Sequence, residues 1–422
     1  MLQVAYLREN KKEAIECLAI KNFDAGRIIN LIIELDDKRK KAQNDLDNTL
    51  AQLNTASKQI GELFGKGKAD EANKLKSKTI ELKGISKKFN EVFTNIEKEL
   101  NNLLVDIPNI PHKSVPSGKT SEDDELIFEE GNIPDLGGKA KPHWELAVHY
   151  DIIDFEMGST ITGGGFPVYK DKGAKLQRSL INFFIDKAVD AGYREIQPPI
   201  LVNEASGFGT GQLPDKDDQM YILRSDNLYL SPTAEVPLTN MYRGVILKEE
   251  DLPIKIVAYT PCFRREAGSY GKDVKGLNRL HQFDKVEVVQ IQHPGRSYEA
   301  LEEMLEYVIG LLRQLELPFR VVKLCGGNLG FTSALTYDME VYSAAQQKWL
   351  EVSSISNFET FQANRLKLRF RDETKKTQLL HTLNGSALAL PRILAAMLEN
   401  NQTPEGIKIP QALVSYTGFQ II

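Results

Sequence analysis

Between positions 27 and 104 the chain alternates spacings of three and four along one ladder. It runs through Ile28, Ile32, Leu35, Arg39, Ala42, Leu46, Thr49, Leu53, Ala56, Ile60 and Leu63. A second ladder follows through Ala72, Leu75, Thr79, Leu82, Ser86, Phe89, Phe93, Ile96, Leu100 and Leu103. A seam repeating every ~3.5 residues keeps one face of a helix against a partner, which is the coiled-coil condition. Phe64-Gly65-Lys66-Gly67-Lys68 joins the ladders, a connection so short that it predicts an antiparallel helical hairpin. At ~1.5 Å per residue the hairpin extends roughly 50–55 Å, more than a globular core requires. Such an arm is expected to touch something remote.

Elsewhere the pattern changes. Residues 1–25 predict a short helix and a loop, with Asn22 or Asp24 as the cap before the arm. Pro108 and Pro111 forbid continuation of the second arm helix, and the Ser-, Gly-, Pro- and acid-rich stretch 112–142 predicts a linker. Helical periodicity returns over 172–191 through Leu176, Leu180, Phe183, Phe184 and Ala188. From about 220 to 370 strands predominate, among them 220–223, 227–230, 254–259 and 285–291, with helices at 297–315 and 386–400. Mostly antiparallel strands with packed helices indicate an α+β domain. The expected division is an N-terminal domain over 1–110 that carries the arm (27–104), and the α+β domain over 111–422.

Bulk properties narrow the function. A chain of 422 residues, 41% hydrophobic, can bury a large core. Its net charge of −5 excludes a protein that coats nucleic acid generally, so RNA contact has to be local. Lys66, Lys68, Lys74, Lys76, Lys78, Lys83, Lys87 and Lys88 crowd the arm's tip and upper second helix, against only Asp70, Glu71 and Glu81. A dimerisation seam is the common use of a heptad hairpin, but this basic patch favours phosphate contacts. Cys17, Cys262 and Cys325 lack metal-ligand spacing and suit a reducing compartment. No apolar run reaches membrane-spanning length and the start does not read as a signal peptide, so a cytoplasmic protein is expected.

The densest polar constellation is 262–271 followed by 278–287, which reads as strand, glycine-bearing loop and strand. Alternation places Arg264 and Glu266 on one face, and Phe283, Lys285 and Glu287 on one face of the return strand. An arginine fork binds phosphate oxygens bidentately, and a neighbouring phenylalanine can stack on a base. Three further segments add to it. Ser231-Pro232-Thr233-Ala234-Glu235 offers a hydroxyl and a carboxylate. Glu351-Val352-Ser353-Ser354 offers oxygens for Mg²⁺ beside phosphates. Asn384-Gly385-Ser386 through Arg392 leads a strand into a helix and delivers a second arginine.

In this order the segments resemble the bacterial-type seryl-tRNA synthetase family of class II aminoacyl-tRNA synthetases, over essentially the whole chain. Gly192 through Pro199 resembles the first class II motif, Phe263 through Glu287 the second, and Gly385 through Arg392 the third. Thr233-Ala234-Glu235, His281-Gln282-Phe283 and Phe361-Gln362-Ala363-Asn364-Arg365 resemble family signatures, as do His143-Trp144-Glu145-Leu146 and Phe166-Pro167-Val168-Tyr169.

The resemblance implies a catalytic domain built on an antiparallel sheet flanked by helices. It implies serine–tRNA ligase activity: ATP-dependent formation of seryl-adenylate, then transfer to the 3′ end of tRNA(Ser) and, where a cell has it, tRNA(Sec). Arg264, Glu266 and Arg392 would be catalytic. ATP would also meet Arg265, Phe283, Glu351, Val352, Ser353 and Ser354, with Glu351 and Ser354 on Mg²⁺. Serine would meet Thr233, Ala234, Glu235, Glu287, Asn384 and Ser386. The arm, with Lys66, Lys68, Lys74, Lys76 and Lys78, would hold the tRNA. A homodimer forming near Pro198 is implied, with no tightly bound organic cofactor and neither membrane nor DNA as partner. Ala387, Pro391, Asn328 and Asn364 depart from the family pattern. Two rivals are a paralogue charging another carrier, which leaves the arm without a partner, and a non-catalytic RNA binder, which leaves the charged positions unexplained.

Overall fold

The computed structural model describes residues 1–138, 140–267 and 275–422. The glycine-bearing loop expected at Gly268 and Gly271 lies outside the described residues. The backbone divides into two compact units, Met1–Ala19 with Phe23–Pro108, and Ile20–Asn22 with Asn109–Ile422.

In the first unit, α1 (Val4–Glu9) and α2 (Lys11–Ile20) precede the hairpin of α3 (Gly26–Gly65) and α4 (Ala69–Val105). Every position of both heptad ladders is buried or half-buried. The seam drifts only at its base, where Ile29 is fully buried beside half-buried Ile28, and Leu104 beside Leu103. Lys66, Gly67 and Lys68 alone connect the helices. Gly67, at φ +72°, gives its N–H to Phe64 O at 3.1 Å, while Lys68 N–H reaches Leu63 O at 3.0 Å. This pair of bonds closes α3 through a left-handed residue, a conformation glycine adopts without penalty. The start of α3 differs from expectation. Neither Asn22 nor Asp24 is the cap; Ala25 is, without a side-chain bond, and Asp24 Oδ1 instead accepts the Gly26 N–H at 3.3 Å.

The second unit centres on an eight-stranded sheet. Its strands are β1 (Glu125–Glu130), β2 (Arg194–Glu195), β3 (Ile254–Phe263), β4 (Gln282–Gln292), β5 (Phe319–Lys323), β6 (Leu335–Ser343), β7 (Lys348–Asn357) and β8 (His381–Ala389). They lie in the order β1-β5-β6-β7-β8-β4-β3-β2, antiparallel throughout except for the parallel pair β2–β3. Helices α5 (His143–His149), α6 (Asp171–Asp190), α7 (Ser297–Gln314) and α8 (Leu390–Asn400) share one apolar core with the sheet. All five apolar positions expected of α6 are buried in that core.

Two boundaries differ from the sequence reading. The stretch 112–142 is not only a linker, because β1 forms the edge of the sheet there. Its acidic, largely exposed sequence is that of an edge strand kept from pairing further. The helix expected from residue 386 begins at Leu390, since Ser386 and Ala389 pair with Glu287 and Lys285 on β4. Pro391 then sits in the first turn of α8, where its missing N–H costs nothing.

Candidate active site

β4 is the spine of the site. Phe283, Lys285 and Glu287 follow one another along one face, as their alternation requires. Glu287 lies opposite Ala258 on one side and Ser386 on the other. It is 1% exposed and pairs with Lys285 at 2.5 Å. Ser386 Oγ donates to Glu287 Oε2 at 3.3 Å, while Oε1 is buried with no hydrogen-bond partner among the described residues. A buried acceptor of this kind is costly unless a ligand donor meets it.

A second carboxylate faces this one. Glu235 begins the helix Glu235–Asn240, with Thr233 Oγ1 accepting its N–H at 3.3 Å and Ser231 Oγ donating to Thr233 O at 2.7 Å. Gln362 Nε2 donates to Glu235 Oε1 at 2.6 Å, and Thr382 Oγ1 fixes the Gln362 amide through Oε1 at 2.7 Å. Burial pushes the Glu235 carboxyl up to about 7, with the Glu287 charge acting in the same direction and Gln362, Lys285 and Asn384 opposing. Thr233, Glu235, Glu287, Asn384 and Ser386 are thus linked in one polar cluster. Ala234 contributes no side chain to it, packing instead with Leu238, Ile256, Ala258 and Val289. The sequence reading missed Lys285 as a counter-ion and Gln362 and Thr382 as supports. Only the position of Lys285 between Phe283 and Glu287 hinted at its role.

Farther along β4 the groups suit a nucleotide. The Arg264 guanidinium lies 5.2 Å from the centre of the Phe283 ring. Its backbone N–H donates to His281 O at 2.9 Å, and His281 stacks on Phe166 at 5.4 Å. The expectation that strand alternation places Arg264 beside Glu266 needs correction, because β3 ends at Phe263. Glu266 lies on irregular backbone instead, at φ +48°, and pairs with Arg279 at 2.7 Å. Arg265, expected on ATP, is exposed and pairs with Asp218 at 3.1 Å. Arg392 is held between two carbonyls: Nε donates to Asn278 O at 3.2 Å and Nη1 to Glu351 O at 2.6 Å.

β7 contains the device that makes Glu351-Val352-Ser353-Ser354 usable. Residues three apart on a regular strand point to opposite faces. Here Glu351 pairs with Glu340 and Ser353 with Met339, so Val352 is one extra residue, a bulge that returns Glu351 and Ser354 to the same face. The side chains of Val352 and Ser353, both expected near ATP, turn inward. Val352 joins the apolar core and Ser353 Oγ donates to Ser386 O at 2.6 Å. Ser354 Oγ donates to Asp338, an acid the sequence reading missed; burial first and Glu351 second raise the Asp338 carboxyl well above its ordinary range. Among the described residues no group of three or more His, Cys, Asp or Glu side chains could hold a metal ion. One carboxylate and one hydroxyl on a shared face nevertheless fit a hard Mg²⁺, which takes its other oxygens from phosphates and water.

The departures from the family pattern are accommodated. Ala387 is fully buried in the core and Asn328 Nδ2 donates to Asp124 Oδ2 at 2.8 Å. Asn364 is half-buried on the helix Thr360–Leu366. Its neighbour Arg365 donates to Phe208 O and Leu213 O, both at 3.1 Å, between the Phe208 and Phe361 rings. On the arm, Lys66, Lys68, Lys74, Lys76 and Lys78 are all exposed, with Lys76 Nζ 5.3 Å from the centre of the half-exposed Phe64 ring.

Comparison with known proteins finds relatives over essentially the full chain. The seryl-tRNA synthetase N-terminal domain model matches residues 1–111, and the class II tRNA synthetase core domain model (G, H, P, S and T) matches 221–401. The serine–tRNA ligase of Salinibacter ruber is 48% identical over 421 residues, covering 99% of this chain and 98% of that protein. That of Trichlorobacter lovleyi is 44% identical over 426 residues, covering 99% and 98%. The crystal structure of Pyrococcus horikoshii seryl-tRNA synthetase complexed with ATP superposes with a TM-score of 0.89 at 32% identity, covering 100% of this chain and 99% of that one. The chain therefore belongs to the seryl-tRNA synthetase family, the serine–tRNA ligases built on a class II core.

Proposed function

We propose that this chain activates L-serine with ATP and transfers it to tRNA(Ser), and to tRNA(Sec) where a cell has it. The observation that carries the reading is the pair of buried carboxylates, Glu235 and Glu287, the second with an acceptor oxygen unmet among the described residues. They are suited to a small substrate bearing both an ammonium and a hydroxyl. The serine carboxylate attacks the α-phosphorus of ATP in line and pyrophosphate leaves; the terminal ribose hydroxyl of tRNA then attacks the carbonyl of the adenylate, the acyl–phosphate bond breaks and AMP leaves. No side-chain nucleophile is required, because positioning and charge neutralisation supply the rate.

In this reading Arg264 neutralises the α-phosphate, Glu266 lies near the adenine, and the adenine stacks on Phe283. Arg392 meets the nucleotide from the start of α8. Mg²⁺ accompanying ATP would be held by Glu351 and Ser354 and supplies charge neutralisation on the phosphate oxygens. Residues 1–110 serve tRNA binding through the arm lysines, and 111–422 serve catalysis. The enzyme works as a homodimer formed near Pro198. The free thiols Cys17, Cys262 and Cys325 suit the cytoplasm. No helix among the described residues is long and apolar enough to cross a membrane.

The test is ATP–pyrophosphate exchange dependent on serine. Arg264→Ala is expected to lower its rate about a hundred- to thousandfold, the usual loss for one preorganised charge contact. Near-normal exchange in that variant would sink the reading.

A further inference from the structure

Glu399 lies fully buried on α8, seven residues beyond Arg392 and therefore on the same side of the helix. The reading above gives it no part in binding substrate. Its Oε1 accepts from the His143 backbone N–H at 2.9 Å, His143 Nδ1 at 2.7 Å and Gln346 Nε2 at 2.9 Å, while Ser343 Oγ donates to Oε2. A backbone N–H only donates, so the one on Leu277 dictates the polarity of the histidine bonded to it. His143 carries its proton on Nδ1, which leaves Nε2 to accept the Leu277 N–H at 2.8 Å. Gln346 turns its amide nitrogen to Glu399, which leaves Oε1 to accept Asn278 Nδ2 at 2.9 Å.

Both relays end on adjacent residues of the segment entering β4. That segment returns to α8, because Asn278 O accepts Arg392 Nε at 3.2 Å. The fit leaves no slack: a Cβ on Gly276, at φ +67°, would come within 2.1 Å of His143 Nε2. The loop closes on itself, from Glu399 through two side chains to one carbonyl and back to the helix that bears the arginine.

We propose that Glu399 is a positioning residue for ATP, acting through His143 and Gln346 to fix Leu277 and Asn278, whose carbonyl sets the pose of the Arg392 guanidinium. The inference rests on the reading of Arg392 as an ATP contact and goes beyond it. Gln346→Leu cuts one relay on a half-buried turn without touching substrate, and Asn278→Leu cuts the same bond from its other end.

In ATP–pyrophosphate exchange, each is expected to raise the KM for ATP about tenfold, the usual effect of one lost hydrogen bond to a positioned group, with the KM for serine unchanged. Glu399→Gln keeps an acceptor toward His143 and Gln346 and is expected to retain the parent KM for ATP, whereas Glu399→Leu is expected to raise it. An unchanged KM for ATP in Gln346→Leu or Asn278→Leu, beside a collapsed Arg392→Ala, would overturn the positioning role and leave the Arg392 reading intact. An equal rise in both substrate KM values would overturn it as general loosening. An active Arg392→Ala would overturn the ATP reading and the positioning role together.

Discussion

Ser386 stands directly across the sheet from Glu287 and donates its hydroxyl to one carboxylate oxygen at 3.3 Å, leaving the other without a partner among the described residues. A substrate hydroxyl that meets the second oxygen completes the set. A substrate lacking it leaves a buried acceptor unmet, a form of rejection that reaches about 10⁴–10⁵ in favourable cases. Glu287→Ala is therefore expected to lower kcat/KM for serine by at least about a hundredfold and to narrow the preference for serine over alanine. Parallel exchange assays with the two amino acids check it. An undiminished preference would remove Glu287 from hydroxyl recognition.

Glu235 predicts a pH dependence. Burial, seconded by Glu287, raises its carboxyl to about 7, so in the free enzyme it is neutral below that pH and ionised above it. Only the ionised form pairs with the serine ammonium. The KM for serine is expected to rise about tenfold per unit as pH falls below 7, and to level off above it. Glu235→Gln should abolish the break in the profile. A flat profile in the parent would show that Glu235 does not bind the ammonium.

Arg264 and Arg265 are neighbours with opposite expectations. Arg264 lies over Phe283, whereas Arg265 is engaged with Asp218 at the surface. Exposed ion pairs contribute little, typically up to about 1 kcal/mol. Arg265→Ala is accordingly expected to change the KM for ATP by less than about fivefold. A loss comparable with that of Arg264→Ala would mean that Arg265 leaves Asp218 when ATP binds.

Much of this was legible in the sequence where a single period governs. The arm ladders predicted the buried seam because 3.5-residue spacing holds along both helices, and it slipped only at Ile28 and Leu103, where the chain leaves the pair. The shared face of Phe283, Lys285 and Glu287 followed from strand alternation on β4. Period-based reasoning failed wherever the backbone breaks its own rule. The bulge at Val352 turns Ser353 inward against strict alternation, and Glu266 lies beyond the end of β3 at positive φ. Pairings between residues distant in sequence were hidden too. Gln362 supports Glu235 and Glu399 supports Asn278 only because the sheet and α8 bring them together. β1 was hidden by the acidic composition that suits an edge strand.

The exposed lysines of the arm predict a separable contribution to tRNA binding. Neutralising Lys74, Lys76 and Lys78 together is expected to raise the KM for tRNA and to reduce its salt dependence, with the KM values for ATP and serine unchanged. Steady-state charging at two ionic strengths measures this. An unaltered tRNA KM would move the contact surface elsewhere on the arm.

The most direct measurement is charging of tRNA(Ser) with serine, run beside serine-dependent ATP–pyrophosphate exchange, with the full chain and with residues 27–104 replaced by a short turn. The account predicts that the full chain does both, and that the shortened chain keeps exchange while charging collapses. Absence of serine-dependent exchange in the full chain, or undiminished charging without the arm, would contradict it.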